Sequence, residues 1–411
     1  MRELMTLDIT GIAAGGDGVA RHEGLVVFVP RTAPGDRVVA RVQAKGRFGR
    51  GVLATVESPG PGRTTPACPH YERDRCGGCQ LQHLTLEAQR AAKARIVQDA
   101  FARIGKRAVP LPSVLGAGEP WRYRRKLTLA LRRSADGWQA GLHRLGAPDE
   151  IFSLRDCLIA DEALTQCLHE VLARGAHLLP RAPELRASLR RGGDDLLLVI
   201  EGGTQWAEGK AFAAALTAVA ATWWVDDHGR RRVLLDRRAT RDAGASFVQV
   251  NAAVAAQLGA RVEALVRAHS PATVIDGYAG TGDVAVALAA SGITVTAIEL
   301  DADASAVCGA RLVAPSRAIE ARVEDVLPSL PPADVVLLNP PRAGVDAVVT
   351  AALAAAAPTP RAIVYVSCDP ATLARDVSRL PGWRVASLEC FDMFPQTAHV
   401  ETVCELVPEG A

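Results

Sequence analysis

Three groups of residues in the last third of the chain have the types and order that chemistry needs. Cys368 stands in Tyr365-Val366-Ser367-Cys368-Asp369-Pro370, at the end of an apolar run. Glu401 closes Phe394-Pro395-Gln396-Thr397-Ala398-His399-Val400-Glu401. Asp276-Gly277-Tyr278-Ala279-Gly280-Thr281-Gly282-Asp283 follows a strand-like segment. A thiol nucleophile, a carboxylate and a Gly-rich loop that lets backbone approach a ligand point to covalent catalysis with a nucleotide-like cofactor.

These groups need elements to hold them at strand ends. Thr273–Asp276, Thr294–Glu299, Asp334–Leu338 and Ala362–Ser367 read as strands. Helical patterns cover Val250–Ala268 and Val284–Ala290, and a further helix is expected to start near Ala371. Strands alternating with helices make a doubly wound sheet, which binds ligands beyond the carboxyl ends of its strands. The Gly loop, Asn339-Pro340-Pro341-Arg342 and Cys368 all fall at such ends. A helix starting just after Cys368 is expected to lower its pKa.

The Gly loop has neither the dinucleotide spacing nor the lysine of a P-loop. Glu299, at the next strand end, suits both hydroxyls of a ribose, and Asp325 is placed to meet an adenine. This layout resembles a class I methyltransferase that binds S-adenosylmethionine.

Upstream, residues 1–58 read as short strands with Gly turns, including Gly15-Gly16-Asp17-Gly18 and Leu25-Val26-Val27-Phe28-Val29. Close strands with turn signals suggest a small β-barrel. The segment is similar to the TRAM module, an oligonucleotide-binding-like barrel attached to RNA-modifying enzymes. Ser58-Pro59-Gly60-Pro61-Gly62 reads as a linker. Residues 59–244 hold a cysteine segment, a helix from about Leu86 to Ile104 and an α+β middle domain; residues 245–411 form the doubly wound domain. The expected fold is therefore α/β, with an N-terminal barrel and an α+β middle domain.

Cys68, Cys76 and Cys79 give a C-x7-C-x2-C spacing, and Cys157 is a plausible fourth ligand. Four thiolates suit zinc or an iron–sulfur cluster, with His70 or His83 as minor alternatives. Cys167, Cys308, Cys390 and Cys404 read as small apolar residues.

The net charge of the 411 residues is only +2, so global charge names no partner. Between Arg90 and Arg133, however, twelve Lys and Arg are opposed only by Asp99 and Glu119. Such a run fits a phosphate backbone. No apolar run of about 18 residues predicts a membrane span. No signal-peptide pattern follows Met1, so a cytoplasmic protein is expected. Oligomeric state stays open, and a monomer is compatible with the sequence.

Taken together, Phe247-Val248-Gln249-Val250-Asn251, the Gly loop, Asn339-Pro340-Pro341-Arg342-Ala343-Gly344, Ser367-Cys368-Asp369-Pro370 and Asp392-Met393-Phe394-Pro395-Gln396-Thr397 through Glu401 resemble the tRNA/rRNA uracil-C5 methyltransferase family. The resemblance implies that Gln249, Tyr278, Asp283, Glu299 and Asn339 hold the cofactor. It implies Cys368 as nucleophile and Glu401 as base. Uracil C5 takes a methyl group only after a thiolate has added at C6, and a base must then remove the C5 proton. Asn339 stands where the family often has Asp, and Asp369 where Asn is frequent. Family members with this cysteine set carry a [4Fe-4S] cluster, and that set favours 23S rRNA over the tRNA T-loop as substrate. Arg122-Tyr123-Arg124-Arg125-Lys126 resembles a basic family segment expected at the RNA. A radical-type methylthiotransferase and an inactive RNA-binding factor are the remaining alternatives. The first lacks its C-x3-C-x2-C motif here, and intact Cys368 and Glu401 argue against the second.

Overall fold

A computed structural model describes residues 3–135, 137–239 and 249–410. Three sheets build it. The first is a closed barrel of β1 (Glu3–Ile12), β2 (Gly18–His22), β3 (Leu25–Val29), β4 (Arg37–Lys45) and β5 (Phe48–Ser58), in the order β1-β2-β3-β5-β4. Alternating inward residues fill it, among them Leu7, Ile9, Val27, Val29, Val38 and Val42. The period of two along each strand produces this filling.

A two-residue strand, β6 (Val114–Leu115), belongs to the third sheet. The second sheet has β7 (Lys126–Ser134), β8 (Gly137–Arg144), β9 (Ala147–Ser153), β10 (Glu184–Gly192), β11 (Asp195–Glu201), β12 (Val219–Val225) and β13 (Arg231–Asp236). Its order is β13-β12-β11-β10-β7-β8-β9, with only the β11–β12 pair parallel. Helices Glu162–Glu170 and Gly209–Ala215 pack on it, so the middle segment is richer in strand than an even alternation of strands and helices.

The third sheet contains β14 (Thr273–Gly277), β15 (Thr294–Glu299), β16 (Arg317–Glu320), β17 (Val335–Leu338), β18 (Ala362–Ser367), β19 (Trp383–Phe391) and β20 (Glu401–Pro408). The order is β16-β15-β14-β17-β18-β20-β19-β6. β14 to β18 run parallel, and all of β17 and β18 is buried. Strands covered on both faces read as unbroken apolar runs, which is why the sequence marks them. β20 then runs antiparallel to both β18 and β19. Helices Ala252–Ala268 and Asp283–Ala290 cover one face. The other is covered by Ala347–Ala355, Pro370–Ser378 and, from far upstream, Leu86–Arg103. That helix and β6 lie within residues 59–244 yet pack as part of the third sheet's layer. Among the described residues, no helix is long and apolar enough to cross a membrane.

Candidate active site

Cys368 is the first residue past β18, and Glu401 is the first residue of β20. The antiparallel ladder pairs Ser367 with Thr402, so one further step sets Cys368 across from Glu401. Directly opposite residues of such a pair point to the same face. The reversal of strand direction therefore brings together two residues that are distant in sequence. Burial and then the Glu401 charge raise the Cys368 thiol, while Arg342, which hydrogen-bonds it, pulls it down. Burial pushes the Glu401 carboxyl up to about 7, against the nearby Arg342 cation.

The expected lowering of the thiol by a helix N-terminus is not what the structure shows. Helix Pro370–Ser378 does begin beside Cys368, but Asp369 caps it. The Asp369 carboxylate accepts from the N–H groups of Ala371 (2.9 Å) and Thr372 (3.0 Å). The amides and positive end of that helix are spent on a carboxylate rather than on sulfur. Arg342 supplies the opposing charge instead.

Arg342 is held by its loop. Asp376, fully buried, accepts from the Val345 N–H (3.0 Å) and the Tyr365 hydroxyl (2.8 Å). Gly344 crosses over it at φ +78, where a Cβ would sit 2.2 Å from Thr372 Cγ2 and 2.3 Å from Asp376 Oδ2.

The cofactor cradle forms at the ends of β14, β15 and β17. Glu299 uses one carboxylate oxygen for the Gly280 N–H and the other for the Asp301 N–H, each at 2.8 Å. That fixes the carboxylate at the mouth of the loop. Asp276 is buried behind it, and burial followed by the Glu299 charge pushes its carboxyl up to about 7. Tyr278 takes a left-handed φ of +64, a strained conformation for a side chain of that size. Asn339 follows β17, exposed, with its N–H on the Gly277 carbonyl (3.1 Å). Asp325 is exposed on the short helix Val323–Val326, and Ala321 just before that helix bonds the Glu299 carbonyl. Asp283 opens its helix but pairs with Arg311 at 2.7 Å. Gln249 is exposed; Phe247 and Val248, of the same motif, lie outside the described residues. A fixed carboxylate, a buried acid and open space over Gly280 fit an adenosyl group.

Cys68, Cys76, Cys79 and Cys157 line one cavity of about 260 Å³, together with His70, Arg124, Arg342 and His399. Burial raises the Cys157 thiol and pushes Cys76 up to about 11, and neighbouring cysteines add to both. No group of three or more His, Cys, Asp or Glu among the described residues is drawn together as it would be around one ion. Four thiolates are the donor set of zinc or iron–sulfur sites, and these four share one cavity without being gathered around one ion. His83 is not free to ligate, because Tyr71 (2.7 Å) and the Thr32 carbonyl (3.0 Å) occupy its two nitrogens. Cys167, Cys308, Cys390 and Cys404 are buried.

The basic run from Arg90 to Arg133 is not one solvated face. Lys93 is fully buried against Asp392, Arg107 bonds the carbonyls of Leu380 and Trp383, and Arg122 grips both Asp156 oxygens at 2.8 Å. Tyr123 donates to the Pro395 carbonyl at 2.9 Å. The compensating acids and carbonyls come from other parts of the chain, so the local count overstated free charge. The spacing that held a signal is Gln89, Lys93, Val97 and Phe101: four buried residues, one turn apart, two of them polar.

Two family models match the chain: one for the tRNA (uracil-5-)-methyltransferases over residues 317–407, and one for the TRAM domain over residues 2–54. A 23S rRNA (uracil(1939)-C(5))-methyltransferase from Chromohalobacter salexigens is 31% identical over 97% of this chain and 88% of its own. The chain belongs to the RNA uracil-5 methyltransferase family. An RNA methyltransferase from Protochlamydia amoebophila is 30% identical over 97% of this chain and 96% of its own. The family fold extends over the whole chain. The solved Pyrococcus abyssi tRNA (uracil-54, C5)-methyltransferase with S-adenosyl-L-homocysteine superposes at TM-score 0.72, covering 98% of this chain and 100% of its own at 22% identity. This uracil-5 methyltransferase is thus an S-adenosylmethionine-dependent enzyme acting on RNA, and a methylthiotransferase reading falls away.

Proposed function

We propose that the enzyme forms 5-methyluridine in 23S rRNA through a covalent Cys368 adduct. The observation that carries the mechanism is Cys368 set opposite Glu401 at the end of the β18–β20 ladder, with Arg342 beside both. S-adenosylmethionine would be held by Glu299, Tyr278, Asn339 and their neighbours and would supply an electrophilic methyl group. The Cys368 thiolate adds to uracil C6, and C5 becomes nucleophilic and takes the methyl. Glu401 then removes the C5 proton, the C6–S bond breaks and the thiolate is regenerated. The rRNA assignment rests on the 23S rRNA relative and on the four-cysteine set. The tRNA T-loop is the alternative substrate.

Cys68, Cys76, Cys79 and Cys157 would hold a [4Fe-4S] cluster in their shared cavity. Methyl transfer needs no electrons, so such a cluster would serve to fix the loop that carries three of these cysteines.

RNA carrying 5-fluorouridine tests the mechanism, because fluorine at C5 blocks the final elimination. The wild-type enzyme should form a stable adduct that survives denaturing electrophoresis and is absent from Cys368→Ala. Methylation persisting in Cys368→Ala would overturn the assignment. Comparing 23S rRNA with tRNA as acceptor decides the substrate.

A further inference from the structure

Glu401 lies at the end of a loop, residues 392–400, and that loop is gripped from the opposite end of the sequence. Lys93 Nζ donates to Asp392 Oδ1 at 2.5 Å and to the Phe394 carbonyl at 3.0 Å. Both charged side chains are fully buried. One turn earlier on the same helix, Gln89 donates to Gln396 Oε1 (3.0 Å) and accepts from the Gln396 N–H (2.8 Å). Its amide also holds the Leu84 carbonyl at 2.9 Å. Two side chains of one rigid helix thus fix residues 392, 394 and 396 in succession.

The grip has features that simple packing does not need. Gln396 sits at φ +72, a conformation a glutamine reaches only under external constraint. A buried ammonium is costly unless fully partnered, and an apolar pair would fill the same volume more cheaply. Asp392 Oδ2 has no hydrogen-bond partner among the described residues; Arg90 Nε, 3.5 Å away, has none either. Polar groups this exacting define one geometry for the loop rather than merely attaching it.

We propose that Lys93 and Gln89 are positioning residues for the last chemical step: they set the loop so that Glu401 meets the C5 proton of the methylated adduct. The proposal rests on Glu401 being the base. It separates the two halves of the reaction. Thiolate addition and methyl uptake depend on Cys368 and the cofactor cradle, which the Lys93–Asp392 pair does not touch. Proton removal and release depend on the loop.

The test uses the full-length protein, in vitro transcribed 23S rRNA and S-adenosylmethionine with a labelled methyl group. Methyl uptake and release of free 5-methyluridine RNA are followed under single-turnover conditions. Lys93→Met should take up methyl at nearly the wild-type rate but release product about 10–100-fold more slowly, so that methylated protein–RNA adduct accumulates. Gln89→Leu should show a smaller shift of the same kind, and Glu401→Gln the full effect. Equal slowing of uptake and release, or normal release from a folded Lys93→Met, would overturn the positioning role. Should Lys93→Met fail to fold, Lys93→Met combined with Asp392→Leu removes the stranded charge. Adduct accumulation in that folded double variant supports the proposal, and normal release defeats it. Normal release from Glu401→Gln would remove the base assignment itself, an outcome distinct from failure of Lys93→Met alone.

Discussion

A thiol raised by burial is a poor nucleophile at neutral pH, and a carboxyl near 7 is only partly a base. Cys368 and Glu401 have both properties, and Arg342 opposes both. The sign of the pH dependence follows. Each group works ionised and each ionises as pH rises, so the single-turnover rate should climb through pH 7 and continue upward on the alkaline side. Arg342→Ala removes the cation that favours both ionised forms. Its acid limb should move to higher pH, at about a tenfold loss of rate at neutral pH per unit of displacement. A rate profile of unchanged shape in that variant would show that Arg342 does not tune the pair. Cys368 and Glu401, the proposed nucleophile and base, were legible in the sequence from their motifs. The direction of the thiol shift was not, because the burial and the Glu401 charge that raise it come from tertiary packing, and Asp369 caps the helix end that the sequence offered to sulfur.

The same contrast holds for elements. Four of the five parallel strands, and the helices Ala252–Ala268, Asp283–Ala290 and Pro370–Ser378, were readable from their period and their runs of Val, Ile and Leu; β16 and the helices Ala302–Arg311 and Ala347–Ala355 were not read. β14, β15, β17 and β18 lie within a residue of the expected segments. The antiparallel return of β20 was not read, although it creates the Cys368–Glu401 juxtaposition, because pairing partners leave no local mark. The Gly loop shows how strictly an element end can constrain a residue. Gly282 caps helix Asp283–Ala290 at φ +78, and a Cβ there would lie 2.3 Å from Cys308 Sγ. Gly282→Ala should lower stability by at least about 1 kcal/mol and weaken S-adenosylmethionine binding. Thermal melting and calorimetric titration check both effects; full affinity would refute the close approach.

At the scale of the molecule, the parts are locked at a few junctions. One apolar cluster joins Ile12 and Ala33 of the barrel, Leu81 and Leu84 after the cysteine segment, Ala92 and Ile96 of the long helix, and Ala398 of the catalytic loop. The segment expected as a linker is tied as well: buried Asp36 accepts from the Gly60 N–H (2.8 Å) and from Arg63 Nη2 (2.6 Å). The cysteine cavity lies in the same region, walled by the middle sheet on one side and by Arg342, Phe394 and His399 on the other. If a cluster fills it, anaerobically prepared protein should be coloured and contain iron, and Cys157→Ser should lose both. Colourless protein with stoichiometric zinc would eliminate the cluster. None of these junctions was visible in local sequence. A polar residue that is buried against a partner hundreds of positions away looks, in its own neighbourhood, like one facing water.

The Lys93–Asp392 contact spans 299 residues, which gives it a meaning during synthesis. At about 5–20 residues per second, the ribosome needs roughly 15–60 s between making the lysine and making its carboxylate. Throughout that interval the helix has an ammonium on the face that will later be sealed, and the charge keeps that face wet. Closing that face over an incomplete sheet would bury an unpaired ammonium, so the pair disfavours assembly of the proposed active centre until its carboxylate has emerged.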